Sequence, residues 1–232
     1  MLIYGLKPVE EALKSARTIY EIFYVEGTHP SLISHAQNKG IKTETMTKES
    51  MKKKFGPTHQ SIAANVAEYQ SSSLSALLEK EGRKLFVILD GIEDPHNLGA
   101  IIRNAEAFGA TGIILPKRRA AHVTPSVVKV SAGAIERVDF VIQNINQAIR
   151  TLKDHNVWVV GMDVNTDESL DDIYADVDLA LVFGNESTGM SHQVKKNCDY
   201  VVKIPMDGSI NSLNVSVSTG VALYDIKKRQ RG

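Results

Sequence analysis

Three short polar stretches hold the residue types that could do chemistry. The first, DGIEDPHNLGAIIRNAEAFGA from Asp90 to Ala110, contains Asn97, Gly99 and Arg103. The second, GNESTG from Gly184 to Gly189, sets Asn185 and Glu186 between glycines. The third, SLNVS from Ser212 to Ser216, contains Leu213 and Asn214 and leads straight into a helical pattern. An apolar strand, a loop of Gly, Ser and Asn, and then a helix start is how an α/β protein builds a ligand cleft at the carboxyl edge of its sheet. Carboxamides, a carboxylate, hydroxyls and a guanidinium gathered there can grip a polar ligand.

Each of these residues also has a plainer local job. Arg103, on the first turns of a helix, can point at the cleft, or be an exposed helix arginine or a partner of Glu106 or Asp90. Asn97 suits a helix N-cap. Gly99 allows a close backbone approach or merely tight packing. Glu186 could bind a hydroxyl or a cation, or cap the helix at Ser191. His96 and His122 read as ordinary loop residues.

Several chemistries lack their pattern. No GxGxxG follows an early strand and no Gly-Lys-Ser/Thr ends a glycine loop, so neither dinucleotide nor Walker-type phosphate binding is indicated. Ser187, Ser212 and His192 could be arranged for hydrolysis, but there is no GxSxG elbow. The seven histidines show no HExxH spacing and there is one cysteine, Cys198, so neither a metal site nor a disulfide framework is expected. Cys198 itself reads as a buried structural thiol.

The elements that must position the loops are legible in the rhythm of the chain. At 232 residues and 43% hydrophobic content there is room for a small domain and a medium one. Residues 1–70 read as a compact α/β unit: a helix over KPVEEALKS, a strand IYEIFYV, a helix SLISHAQNKG closed by Gly40, a strand IKTETMT, a basic helical turn KESMKKKF and a strand SIAANVAEY. Lys52, Lys53 and Lys54 form a solvated helix face or an RNA contact. Residues 71–84, SSSLSALLEKEGRK, read as a linker with a short helix. From Leu85 to Gly232 strands and helices alternate, which implies a mostly parallel sheet covered on both faces. No stretch approaches the ~20 apolar residues of a membrane span, and the amino terminus does not read as a signal peptide. The formal net charge of zero argues against a polycation that coats nucleic acid, though local basic clusters could still bind phosphate.

Taken together, Asn97-x-Gly99-x-x-x-Arg103, Gly184-Asn185-Glu186-x-x-Gly189 and Ser212-Leu213-Asn214-Val215-Ser216 resemble, in order and spacing, the three signature motifs of the SpoU (TrmH-type) class. These are the S-adenosylmethionine-dependent RNA ribose 2′-O-methyltransferases of the SPOUT superfamily. IYGLKPVEEAL and HQSIAA resemble the amino-terminal substrate-binding domain of the 23S ribosomal RNA guanosine methyltransferases, so the resemblance covers essentially the whole chain. One departure is Ser61, where relatives usually have glycine after HQ.

The resemblance implies a small ribosomal-protein-like α/β sandwich followed by a SPOUT domain with a deep trefoil knot. Open doubly wound sheets are what pattern alone suggests, since knots are nearly absent from folds in general. It further implies that Gly184, Ile204 and Leu213, with Asn185, Met206 and Ser212, hold S-adenosylmethionine. Arg103, Asn97, Glu186, Ser212 and Asn214 would then carry the reaction, Arg103 standing at the motif position of the arginine often proposed in the family to take the ribose proton; its charge suits it better to clamp the target phosphate and stabilise the developing alkoxide. Guanidinium essentially never deprotonates, so a role as base sits uneasily with its chemistry. Lys52, Lys53, Lys54 and His59 would contact RNA. The expected partners are large-subunit ribosomal RNA or its assembling particle and a second copy of the chain, with the final helix (Val215, Val217, Val221, Leu223) as the surface. No metal, no membrane and a cytoplasmic location are expected. A tRNA ribose methyltransferase is the alternative substrate assignment, disfavoured because tRNA enzymes of the group commonly lack the amino-terminal sandwich. A non-catalytic RNA-binding or ribosome-assembly protein is the alternative function.

Overall fold

The computed structural model describes residues 1–118 and 120–231. In chain order the elements are β1 (Leu2–Tyr4), α1 (Leu6–Lys14), β2 (Ile19–Val25), α2 (Pro30–Asn38), β3 (Lys42–Met46), α3 (Lys48–Phe55) and β4 (Ile62–Val66). There follow α4 (Leu74–Leu78), β5 (Leu85–Asp90), α5 (Pro95–Ala107), β6 (Gly112–Leu115), α6 (Pro125–Val130) and β7 (Phe140–Ile142). The chain continues with α7 (Ile145–Asp154), β8 (Trp158–Met162), β9 (Leu179–Gly184), α8 (His192–Asn197), β10 (Tyr200–Val202) and α9 (Val215–Arg231). Two units form: Met1–Tyr69 with Val123–Arg137, and Gln70–His122 with Val138–Gly232.

The first unit is built on a four-stranded sheet of order β1-β4-β2-β3, with β4 antiparallel to both neighbours and β2 parallel to β3. The spacing of α1 buries Val9, Ala12 and Leu13, as its periodicity demands. Phe23, Val25, Met51, Phe55 and Ala63 form a cluster in which α3 packs on the sheet. The three residues of β1 are too few to show alternation in sequence. Their pairing with β4 makes them a strand.

The segment Val123–Arg137 completes this unit and is pinned to it by Glu136. The Glu136 carboxylate accepts from Arg17 Nη1 at 2.8 Å, from Ser15 Oγ at 3.2 Å and from the Tyr69 hydroxyl. The Arg17 guanidinium also lies 3.5 Å from the centre of the Tyr69 ring. Arg17 and Glu136 are 8% and 3% exposed, so this pair sits away from water. Burial, followed by the Glu136 charge, pushes the Tyr69 hydroxyl above its usual pKa.

The HQS turn shows what the departure at Ser61 costs. Gln60 and Ser61 both adopt positive φ, 52° and 63°. Ser61 N donates to His59 Nδ1 at 2.8 Å, and the Gln60 side chain accepts from Leu6 N at 2.9 Å. Left-handed backbone costs an L-residue roughly 1–2 kcal/mol, and glycine almost nothing. Ser61→Gly is therefore expected to stabilise the first unit by about 1 kcal/mol, read as a higher denaturant midpoint.

The second unit holds six parallel strands in the order β10-β8-β9-β5-β6-β7. Its central strands β5 and β9 are buried from Leu85 to Leu89 and from Leu179 to Phe183, which is why both read as unbroken apolar runs. Residues 71–84 are not a loose tether. Leu74 and Leu77 of α4 enter the same core as Phe86, Ile114 and Ile149, and Ser72 N donates to Phe140 O at 2.7 Å. From β5 the strands run outward one way to β6 and β7, and then return to the other side as β8, β9 and β10. The switch lies between β5 and β9, whose ends Asp90 and Gly184 are paired. Parallel α/β sheets place ligands beyond the carboxyl ends of strands at such a point.

The final helix divides differently from its expected role as a continuous apolar surface. Val215 and Leu223 are buried in their own unit, whereas Val217, Val221 and Tyr224 are exposed along one stripe. Tyr224 meets the Phe108 ring edge-on, with centroids 6.0 Å apart. Among the described residues no helix is long and apolar enough to cross a membrane.

Candidate functional site

The loop after β5 enters α5 through Asp94, not Asn97. The Asp94 carboxylate accepts from His96 N at 2.9 Å and Pro95 opens the helix. The bond from the His96 backbone is the main cause holding the Asp94 carboxyl below its usual pKa. Asn97 is thereby moved into the first turn, and its side chain is released from capping. It donates through Nδ2 to Glu186 Oε1 and accepts at Oδ1 from Asn214 Nδ2 at 3.0 Å. Three residues separated by about ninety and by more than a hundred positions are thus joined in one chain of hydrogen bonds. Glu186, engaged with Asn97, does not cap α8. Ser191 stands at that helix's N-cap, with its N–H on Asp90 Oδ2 at 2.7 Å.

The loop after β9 is shaped by Asn185 and two glycines. Asn185 and Gly189 exchange backbone bonds of 3.1 and 2.8 Å, while Asn185 Oδ1 accepts from Ser187 N and Thr188 N. Asn185 Nδ2 donates to Gly91 O at 2.8 Å, tying this loop to the one after β5. The Asn185 side chain therefore builds the loop, with both its oxygen and its amino group engaged. A Cβ on Gly184 would lie 2.1 Å from Met190 N and 2.2 Å from Gly189 C, so backbone replaces side chain there and no larger residue fits.

A cleft of about 360 Å³ opens beside these loops, within the size range of small-molecule sites, roughly 300–1,000 Å³. All the residues expected to hold the cofactor line it: Gly184, Asn185, Ile204, Met206, Ser212 and Leu213. Glu186 also lines it, while its carboxylate accepts from Asn97. Arg103 does not line this cleft. Its side chain is exposed, and no ion pair joins it to Asp90, Glu106 or any other acid among the described residues. Asn97, Glu186 and Asn214 are brought together, Ser212 lies on the cleft wall, and Arg103 stands apart, facing solvent.

The expected RNA contacts lie on the first unit. Lys52 and Lys53 are exposed, while the Lys54 ammonium sits 3.9 Å over the Phe23 ring and so serves packing as well. His59 is 9% exposed with Nδ1 committed to Ser61 N, which leaves only Nε2 for a ligand. Burial, and then the nearby Lys129 charge, holds its pKa below the usual histidine value.

Sequence reasoning missed one wall of the cleft. Met162 at the end of β8, Asp163, Val164 and Asn165 from the loop after it, and Lys203 line it as well. Burial pushes the Asp163 carboxyl up, but its bonds to Lys195 Nζ at 2.7 Å and Asn165 N at 2.8 Å outweigh that and hold it low. The signal was the polar step after the apolar strand VWVVGM, the same design as the loops that were singled out. Cys198, half-buried and donating to Val194 O, has its thiol pushed up to about 12, chiefly by burial, and is no nucleophile at neutral pH. Among the described residues no group of three His, Cys, Asp or Glu side chains could hold a metal.

Comparison with known proteins bears on this geometry. Residues 84–224 match the SpoU rRNA Methylase family, and residues 2–72 match the RNA 2′-O ribose methyltransferase substrate binding family. A Staphylococcus haemolyticus protein assigned to the TrmH family tRNA/rRNA methyltransferases is 37% identical, over 99% of this chain and 96% of its own length. The SpoU methyltransferase AviRb from Streptomyces viridochromogenes, solved with the cofactor AdoMet, superposes with a TM-score of 0.87 at 25% identity. That match covers 100% of this chain and 90% of AviRb. An AdoMet-bound rRNA methyltransferase from Sinorhizobium meliloti superposes at 0.84 and 25% identity, over 98% of this chain and 86% of that one. With its three motif loops gathered at one edge of a parallel sheet, and the family match running through all of them, the chain belongs to the SpoU rRNA Methylase family.

Proposed function

We propose that this protein transfers a methyl group from S-adenosylmethionine to a ribose 2′-oxygen of RNA, at a guanosine of large-subunit ribosomal RNA, in the cytoplasm. The observation that carries this is the hydrogen-bonded Asn97–Glu186–Asn214 chain set against a cleft walled by Gly184, Ile204 and Leu213. An adenosine needs an apolar slot with backbone donors and acceptors, and the wall supplies Ile204, Met206 and Leu213 beside the backbone of Gly184. The sulfonium is already a strong electrophile, so the protein's task is at the ribose hydroxyl. Asn97, Glu186, Ser212 and Asn214 orient that hydroxyl. Arg103, exposed and without an ion pair among the described residues, clamps the adjoining phosphate and stabilises the developing alkoxide.

The same reading makes the loops after β9 and β10 the threads of a deep trefoil knot, and the first unit the RNA-binding domain, with Lys52 and Lys53 on its contact face. The exposed stripe of Val217, Val221 and Tyr224 on α9 is the surface that meets a second copy of the chain. Ribosomal RNA is favoured over tRNA because the substrate-binding match occupies residues 2–72, a domain that tRNA enzymes of the class commonly lack.

The test is methylation of total RNA with tritiated S-adenosylmethionine, the label then mapped. Ribose label in large-subunit RNA is the expected result. Label in tRNA would keep the chemistry and overturn the substrate. Failure to bind S-adenosylmethionine would overturn the enzyme assignment in favour of a non-catalytic RNA-binding protein.

A further inference from the structure

We infer that Asn104 is a positioning residue for this site: by holding the Ser216 carbonyl it fixes the orientation of the Asn214–Asn97–Glu186 chain. The inference rests on the methyl-transfer reading, and none of the motif residues themselves requires it.

Asn97 and Asn104 are seven residues apart on α5. At 3.6 residues per turn they stand on the same face, two turns apart. That face meets the start of α9 at both points. Asn97 accepts from Asn214 Nδ2 at 3.0 Å, and Asn104 Nδ2 donates to Ser216 O at 2.7 Å. The second contact exists because Gly220, one turn further along α9, has no side chain. A Cβ there would lie 3.0 Å from Asn104 Nδ2 and 3.3 Å from its Cγ.

Ser216 is the hub. Its backbone N and its Oγ both donate to Asn214 Oδ1, at 2.9 and 2.6 Å. An amide oxygen offers two lone pairs, so both are used and the Asn214 amino group must face Asn97. With its oxygen taken by Asn214, Asn97 must in turn present its amino group to Glu186 Oε1. Flipping any amide in the series would set oxygen against oxygen or N–H against N–H. The polarity of the chain therefore starts at Ser216, and Ser216 is held against α5 by Asn104, the residue next to Arg103. Asn104 thus fixes the site's carboxylate relative to its guanidinium while touching neither.

The experiment uses the full-length protein, in Asn104→Ala, Gly220→Ala and the pair Asn97→Ala with Asn97→Ala/Asn104→Ala. Thermal melting shows which variants fold. Gly220→Ala keeps the asparagine but crowds it, and serves if Asn104→Ala does not fold. For Asn104→Ala, single-turnover methyl transfer at saturating S-adenosylmethionine is expected to slow about tenfold, a typical size for coupled neighbours. Its affinity for S-adenosylmethionine is expected to stay within about twofold of wild type, and Gly220→Ala to fall between the two. In the Asn97→Ala background the Asn104 change is expected to have almost no further effect, because the chain it orients is already broken. The side-chain amide signals of Asn97 and Asn214, followed by ¹⁵N–¹H NMR, are expected to shift in Asn104→Ala and need no activity to be read. A full additional loss in the double variant, or unmoved amide signals, would overturn the inference. An inactive wild type would overturn the methyl-transfer reading instead, and the amide signals would still decide the role of Asn104 in the network.

Discussion

Arg103→Ala is expected to slow methyl transfer by about 10²–10³-fold, the usual cost of removing one preorganised charge-stabilising group. Affinity for S-adenosylmethionine is expected to stay near that of the wild type. The separation follows from where Arg103 stands. It is exposed at the side of α5, outside the cleft lined by Gly184, Ile204 and Leu213, so the methyl donor has no need of it. It makes no ion pair among the described residues, so its five N–H donors are available to an incoming phosphate and a developing alkoxide. Single-turnover rates with saturating RNA, set beside calorimetric titration of the cofactor, separate the two effects. Arg103→Lys refines the role. Lysine keeps the charge and loses the planar fork, so a rate close to wild type would show that bidentate geometry is not used. Comparable losses of rate and cofactor affinity in Arg103→Ala would place the side chain in the donor site and count against the clamp.

Glu136→Ala is expected to destabilise the first unit by about 3–5 kcal/mol, the range seen when one partner of a buried ion pair is removed. The substitution leaves the Arg17 guanidinium, 8% exposed, with its Nη1 partner gone, and strips the Tyr69 hydroxyl of its acceptor. Glu136→Gln keeps a hydrogen-bond acceptor and should lose less. The measurement is made easier by the placement of the aromatic residues. Trp158 is the only tryptophan and lies in the second unit, so its fluorescence follows that unit alone. Circular dichroism follows both. A denaturation curve in which the dichroism transition moves to lower denaturant while the Trp158 transition stays in place is the expected result. Coincident shifts of both would mean that the two units unfold together.

Much of this was written in the sequence because it depends on local pattern. Leu85–Leu89 and Leu179–Phe183 are unbroken apolar runs, the pattern of a parallel strand covered on both faces. Thr47 and Asn144, which cap α3 and α7, are likewise residues whose side chains reach back to the helix N-terminus. The motif spacing led to Asn97, Glu186 and Asn214, and these residues meet. What stayed hidden depends on pairing between distant segments. Asn97 looked like a cap because asparagine often is one, but Asp94 three positions earlier does that work and frees it. Asp163 follows its apolar strand as a polar step, but its place on the cleft is set by the order of β8, β9 and β10, and strand order is not a local property. Asn104 is hidden for a similar reason: nothing near it in the chain says that Gly220 will leave it room. Segment Val123–Arg137 carries apolar residues (Val127, Val128, Ile135) that could enter the core of either unit, and it is tied to the first by a carboxylate whose partners lie more than sixty residues earlier.

That segment bears on how the protein is made. The chain passes from one unit to the other after Tyr69, returns at Val123 and leaves again after Arg137. When residues 1–69 emerge from the ribosome, Arg17 and Tyr69 are present but the carboxylate that neutralises one and receives the other has not been synthesised. β5, α5 and β6 must be translated before that carboxylate arrives, so the amino-terminal sheet waits, incompletely closed, while the first strands of the next unit appear. Birth order and folding order part company here, and a gene truncated near residue 70 would yield a fragment that holds the sheet's strands but lacks its last brace.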